Sequence, residues 1–136
     1  METRLPTLHD ISALVAFLPL LYAEGFEPVI KWNGGYQEKD GLFRMPWPDY
    51  NPVVEDFYRL VASVWLDYEY LPEGAARMLA DTEFIKTASL SQIKTMLTFC
   101  VRGERFSDGH WAEMIQNGAI RQLLERLEEI GSEMAE

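Results

Sequence analysis

The sequence has little of what metal sites and disulfides are made from. It holds one cysteine and two histidines among 136 residues. A single cysteine cannot form an internal disulfide, so nothing indicates secretion. His9 and His110 lie at opposite ends of the chain, and Cys100 has no partner at CxxC or HxxxH spacing. We therefore expect no bound metal and no cofactor.

Long apolar runs are also missing. The longest apolar stretch, from Ile11 to Tyr22, is interrupted by Ser12 and Pro19 and is too short to span a bilayer. The first residues, METRLPTLHD, show no cleavable signal pattern. From these two absences we predict a soluble, cytoplasmic protein that does not associate with membranes.

The chain carries no run of lysines or arginines. Its 12 basic and 22 acidic residues give a net charge of −10, a field that repels a phosphate backbone, so nucleic acid is not an expected partner. The sequence also has no G-x-S-x-G, no Walker loop and no dinucleotide-binding glycine motif. No reaction is indicated, and whether the protein is an enzyme stays open.

Helical patterns account for most of what is present. The length and the 48% hydrophobic content predict one compact domain over residues 1–136. Thr7 and Ser89 each begin a capping-box pattern before an amphipathic stretch, and Asn51 precedes a proline at a helix start. Apolar residues then recur at helical spacing down to Ile130. The sequence predicts a mainly α fold with about five or six helices.

Residues 26–50 break this periodicity with glycines and prolines. The turn signals at Asn33-Gly34-Gly35 and Lys39-Asp40-Gly41 predict one short β-hairpin that pairs residues 29–32 with residues 42–45. The segment is rich in aromatic residues, which either line a pocket or hold the loop on the helical core. These residues are Trp32, Tyr36, Phe43, Trp47 and Tyr50.

The densest group of functional side chains is the stretch RGERFSDGHW, residues 102–111. Ser107 is predicted to cap a helix that begins at Asp108. Phe106 and Trp111 would then clamp the start of that helix as a hydrophobic staple. On this interpretation much of the stretch joins two helices.

Arg102, Arg105 and His110 are not explained by capping. Two arginines three residues apart share a helix face, and beside a helix start they could hold a phosphate or carboxylate. His110 would add a group that titrates near neutral pH. We predict Arg102, Arg105, His110 and Trp111 as candidate ligand-binding residues. The alternative is that the arginines pair with Glu104, Asp108 or acids of the middle loop.

The same C-terminal block carries a resemblance. A helix, then RGERF-x-DGHW, then a short helix and IRQLLERL resemble an uncharacterised prokaryotic domain family of unknown function. The stretches MPWPDYNPVVEDFYRLV and WLDYEYLPEG are similar to that family too, so the likeness runs from about Asp10 to Leu127. It implies a compact domain and brings no catalytic assignment.

Two functional hypotheses remain. The first is a non-enzymatic helical module that binds a protein partner or a second copy of itself. The second is a binder of a small anionic molecule, or a small enzyme acting on one, that uses Arg102, Arg105 and His110.

Overall fold

A computed structural model describes residues 5–37, 39–105 and 107–135, the side chain of Arg44 excepted. Helices stand at both ends of this range, and four short strands separate the second helix from the third. The helices are α1 (Leu8–Val15), α2 (Leu18–Leu21), α3 (Pro52–Val64), α4 (Pro72–Ala80), α5 (Thr82–Lys86), α6 (Leu90–Arg102), α7 (His110–Gln116) and α8 (Ala119–Ala135). The strands are β1 (Val29–Asn33), β2 (Tyr36–Gln37), β3 (Phe43–Arg44) and β4 (Trp47–Tyr50).

The predicted fold class, mainly helical with one short hairpin, is confirmed. Among the described residues, five helices have eight residues or more. Three shorter ones bring the number above the predicted five or six. Pro19 explains one of them, because the chain leaves α1 after Val15 and starts α2 at Leu18. No helix in the described ranges is both long and apolar enough to cross a membrane.

Side-chain caps start the main helices where the sequence places them. Thr7 and Asp10 form a complete capping box on α1, and Ser89 and Gln92 form another on α6. The side chain of Asn51 accepts a hydrogen bond from the Val53 amide at the start of α3. These local contacts set the helix boundaries before any tertiary packing is considered.

The core lies between α3, α6 and α8. Its largest fully buried side chains include Trp65, Tyr58 and Phe57. They meet the apolar faces of α6 and α8, which place Met96 and Leu123 in the interior. The remaining fully buried residues of this group are Ile11, Leu14, Ile85, Ile93, Leu97, Ile120 and Leu124.

The hairpin is longer than predicted, and its pairing is different. Strand β1 pairs with β4 in antiparallel register, so that Trp32 stands opposite Pro48. The predicted pairing of residues 29–32 with 42–45 is wrong. Gly34 and Gly35 both have positive φ, but they bend the chain between β1 and β2 without reversing it. The reversal comes at residues 39–42, where Asp40 Oδ1 accepts a 3.0 Å hydrogen bond from the Leu42 amide, and β2 pairs with β3.

Candidate functional site

The stretch from Arg102 to Trp111 joins α6 to α7. Helix α6 ends at Arg102, a 3-10 turn covers Gly103–Arg105, and α7 begins at His110. The predicted cap is wrong, because Gly109 in the left-handed conformation (φ 94°) takes the N-cap position and Ser107 lies in the preceding turn. Phe106 lies outside the described residues, so the predicted staple stays a prediction.

Glu104 supplies the cap of α7 from upstream. One carboxylate oxygen accepts hydrogen bonds from the hydroxyl of Tyr50 (2.7 Å) and the amide of Trp111 (2.9 Å). The other accepts from the amide of Gly109 (3.0 Å). A carboxylate is favoured here because the first amides of a helix have no intrahelical acceptor. The position at which we expected a bound anion thus holds the protein's own side chain.

Trp111 is the centre of an aromatic cluster. Its ring stacks on Tyr58 with a centroid distance of 4.6 Å and an interplanar angle of 11°. Its indole N–H donates to the carbonyl of Val101 at 3.0 Å, and its own carbonyl accepts from the Tyr58 hydroxyl at 3.1 Å. Tyr50 packs against it at a centroid distance of 5.2 Å. The indole is therefore fixed by both stacking and hydrogen bonding.

The two tyrosines of this cluster are held neutral. Burial raises the pKa of Tyr58 well above its ordinary value. The pKa of Tyr50 is also raised, mainly by burial and to a smaller extent by the hydrogen bond to Glu104. Both phenols consequently act as hydrogen-bond donors, and neither is prepared to act as a general base.

His110 is buried against a glycine. A Cβ atom placed on Gly103 would fall 2.3 Å from Cδ2 and Nε2 of the His110 ring, so only glycine leaves room for that ring. Phe99 packs edge-on against the other side at a centroid distance of 5.5 Å. Among the described residues, Nε2 has no hydrogen-bond partner. The imidazole is therefore enclosed by protein, with 9% of the residue exposed.

The two arginines have separate surroundings. The guanidinium of Arg102 lies 5.3 Å from the ring centroid of Tyr70 and 5.8 Å from that of Tyr68, which is a cation–π arrangement. Arg105 is exposed, and neither arginine forms an ion pair with Glu104 or Asp108 within the part of the chain that the structure describes. The ligand-binding role of Arg102, Arg105, His110 and Trp111 stays a prediction.

The hairpin aromatics divide into two groups. Tyr50 is buried, and the ring of Trp32 lies so close to Gly109 that a Cβ there would be 2.7 Å from it. These two contacts hold the base of the hairpin on the start of α7. Tyr36, Phe43 and Trp47 point into solvent instead.

Large apolar side chains are concentrated on the exposed part of the hairpin. Every described residue from Gly35 to Trp47 is exposed, setting aside Glu38 and the side chain of Arg44. We call five of these side chains, each between 44% and 71% exposed, the hairpin surface. They are Tyr36, Leu42, Phe43, Met45 and Trp47.

A groove of about 660 Å³ separates β1 from α7, and we call it the β1–α7 groove. Its apolar walls are Phe26, Val29 and Trp32, and its charged residues are Glu27 and Glu113. The other lining residues are Pro28, Gly109, Ala112, Gln116 and Asn117. A second cavity of about 520 Å³ lies on the β4 side, next to Tyr50 and Trp111.

The other side chains that could act as a nucleophile or as metal ligands do not form a reactive site in the described residues. Cys100 is fully buried, and burial raises the pKa of its thiol to about 12, so it is a core side chain and no nucleophile. Residues 5–37, 39–105 and 107–135 contain no group of three or more metal-ligating side chains that could hold a metal ion.

Fold and site together define a mainly helical protein with an aromatic-rich hairpin fixed to a helix start by a partly buried carboxylate. Residues 6–133 match the model of a family of unknown function (DUF6508), and the chain belongs to that family. The predicted resemblance to an uncharacterised domain family is thereby confirmed. No curated protein and no solved structure gives a significant match.

Sequence reasoning missed Glu104 and Tyr58. The dipeptide Asp108-Gly109 is a turn signal that argues for a later start of α7 than Asp108. With the helix start moved to His110, an acid upstream becomes a candidate cap. Nothing local in the sequence pairs Tyr50 with Glu104 or Tyr58 with Trp111, because each contact joins distant segments.

Proposed function

We propose that this protein is a non-enzymatic interaction module that associates with a second copy of itself through the hairpin surface. The observation that carries the proposal is the location of exposed apolar residues. Of twelve large hydrophobic residues exposed in the described part of the chain, seven lie between Ile30 and Trp47. Such a concentration of exposed apolar side chains on one segment is typical of association sites.

Charge favours a second copy as the occupant. The segment from Val29 to Tyr50 carries three basic and three acidic residues, so it is neutral within a chain of net charge −10. Two copies that meet through their hairpins bring neutral surfaces together, whereas the rest of the chain carries the whole net charge of −10 and would repel its copy.

The area is sufficient for a dimer. Each of the five side chains of the hairpin surface exposes on the order of 100 Å², which gives roughly 500 Å² of apolar area per copy in a dimer that encloses both faces of the hairpin. Since about 60% of a typical interface is apolar, this corresponds to about 800 Å² per partner, the size of a standard stable interface.

Sedimentation velocity over a wide range of protein concentration tests the proposal. We expect dimers at concentrations on the order of 10 μM, and we expect Leu42→Ser and Phe43→Ser to return the protein to a monomer with an unchanged circular dichroism spectrum. Leu20→Ser is the matched control, because Leu20 is 50% exposed and lies outside the hairpin. A wild type that stays monomeric at every concentration, or a Leu20→Ser variant that dissociates as readily, overturns the proposal.

An anionic small molecule is the second proposed ligand. It is supported by Arg105, whose exposed guanidinium has no ion-pair partner within the described residues. Arg102 lies in the preceding helical turn and, with Arg105, would provide the positive charge. A thermal-melt screen with inorganic phosphate and nucleotides tests this: a shift in wild type that Arg105→Ala removes supports it, and the absence of any shift contradicts it. We further propose that the protein acts in the cytoplasm, where its one buried thiol stays reduced.

A further inference from the structure

The β1–α7 groove has the features of a peptide-binding surface. Its lining includes Val29 and Trp32 of β1 and residues of α7 but no residue of β4, so it lies on the side of β1 away from the paired strand. Within the described residues, β1 pairs with β4 alone. A strand with one unpaired edge offers a row of backbone donors and acceptors to an added chain.

The other edge of this sheet is less suited to pairing. Pro46 and Pro48 lie in or next to β4, and proline has no backbone N–H to donate. β1 contains no proline. An additional strand is therefore accommodated better along β1 than along β4.

The side chains of the groove select the charge of the added chain. Glu27 and Glu113 are the charged residues among its described lining, and both are exposed. No ion pair or side-chain hydrogen bond engages either carboxylate among the described residues. Among the residues that the structure describes, no lysine or arginine lines the groove, so an incoming cation meets two carboxylates and no basic side chain there.

Aromatic rings complete this environment. Trp32, which is 51% exposed, and Phe26 form part of the wall. Aromatic faces attract ammonium and guanidinium groups and also cover the alkyl stems of lysine and arginine. The wall thus complements a basic side chain along its full length.

We propose that the β1–α7 groove binds an extended, lysine- or arginine-bearing segment of a partner protein, which adds to the free edge of β1. The basic side chains lie between Glu27 and Glu113, and the alternate apolar side chains pack on Phe26 and Trp32. This site is separate from the hairpin surface and does not depend on self-association.

Three fluorescent peptides of matched length test the proposal by fluorescence anisotropy at fixed ionic strength: KVKVK, EVEVE and KPKPK. We expect saturable binding of KVKVK and none of EVEVE. KPKPK has the same charge as KVKVK but lacks the backbone N–H groups of positions 2 and 4, so we expect it to bind roughly tenfold more weakly. Amide chemical shifts should change in β1 and in residues 113–117.

Charge variants separate the groove from the general acidity of the protein. The double variant Glu27→Gln/Glu113→Gln should weaken KVKVK binding roughly tenfold. Glu128→Gln/Glu133→Gln removes the same charge from exposed positions near the end of α8 and should leave the affinity unchanged within about twofold.

The proposal is overturned if KVKVK shows no saturable binding up to about 1 mM, if KPKPK binds as well as KVKVK, or if the two double variants weaken binding equally. The Phe43→Ser variant keeps this test independent of the proposed function. It lacks the dimer contact but retains the groove, so it should bind KVKVK as wild type does whether or not the wild type dimerises.

Discussion

The hydroxyl of Tyr50 donates a 2.7 Å hydrogen bond to the carboxylate of Glu104, which lies 54 residues further along the chain. The same carboxylate accepts the amides of Gly109 and Trp111. One side chain therefore starts α7 and fixes the last residue of β4 on it. The hairpin keeps its position relative to the helices because this acceptor is shared.

The first prediction concerns that acceptor. Glu104→Gln replaces one carboxylate oxygen with an amide group, which must then face a donor, so at least one partly buried donor loses its partner. We expect the free energy of unfolding to fall by about 1–3 kcal/mol, measured by urea denaturation. Glu128→Gln, at an exposed position without a side-chain partner among the described residues, should change it by less than about 0.5 kcal/mol. Equal effects of the two substitutions would contradict the capping role.

The hydrogen bond between Tyr50 and Glu104 should also make the effects of substitutions at these two residues on the free energy of unfolding non-additive. Tyr50→Phe alone is expected to cost about 1 kcal/mol, the typical net value of one hydrogen bond. Combined with Glu104→Ala, which removes both carboxylate oxygens, it should cost less than the sum of the two single variants, because the bond can be lost only once. Strictly additive free energies of unfolding would show that the 2.7 Å contact contributes nothing to stability.

The contact between Tyr50 and Glu104 illustrates which parts of the structure the sequence could predict and which it could not. Capping boxes at Thr7 and Ser89 and the proline after Asn51 act within four residues, and each was predicted correctly. The pairing of the hairpin strands was not predicted correctly, because the turn signal at Gly34-Gly35 competes with one at Asp40-Gly41. The contacts of Trp32 with Gly109 and of Tyr50 with Glu104 select the second turn. Those contacts depend on the fold and are not encoded locally.

Arg102 and Arg105 were predicted as a pair from their spacing, but they differ in surroundings. Arg102→Ala removes a cation–π contact with two tyrosines, and we expect it to lower the free energy of unfolding by about 0.5–1 kcal/mol. Arg105→Ala removes an exposed side chain without an ion-pair partner in the described ranges, and we expect a change within about 0.5 kcal/mol. Chemical denaturation of both variants measures this. A larger loss for Arg105→Ala would show that this arginine is structural.

Cys100 gives a prediction for alkaline pH. Burial raises the pKa of its thiol from an ordinary 9.0 to about 12, so the folded state retains a proton that the unfolded state releases. The corresponding stability is fully present below pH 9 and is lost as the pH rises toward 12, at about 1.4 kcal/mol per pH unit. Tyrosines of the unfolded chain also begin to titrate between pH 9 and 10, so the contribution of the thiol is taken from the difference between the wild type and a variant that lacks it.

Cys100→Ala tests this contribution directly. The free energy of unfolding of the variant should decline less steeply over that interval than that of wild type, by about 1.4 kcal/mol per pH unit as a limit. The constant offset from the lost sulfur does not affect the slope. Parallel curves for the two proteins would contradict a buried, protonated thiol.

Gly103 and His110 give the sharpest test of packing. Gly103 has φ −60° and ψ −25°, a conformation that alanine adopts without strain. In a helix, alanine is more stabilising than glycine by about 1 kcal/mol. In this protein the added methyl group would meet the His110 ring at 2.3 Å. We therefore expect Gly103→Ala to lower the free energy of unfolding by about 1–3 kcal/mol.

In a His110→Ala background the ring is absent and the same substitution should be neutral or stabilising. Thermal and urea denaturation of the four proteins measures the coupling, and a Gly103→Ala effect of the same sign and size in both backgrounds would show that the ring does not occupy this position.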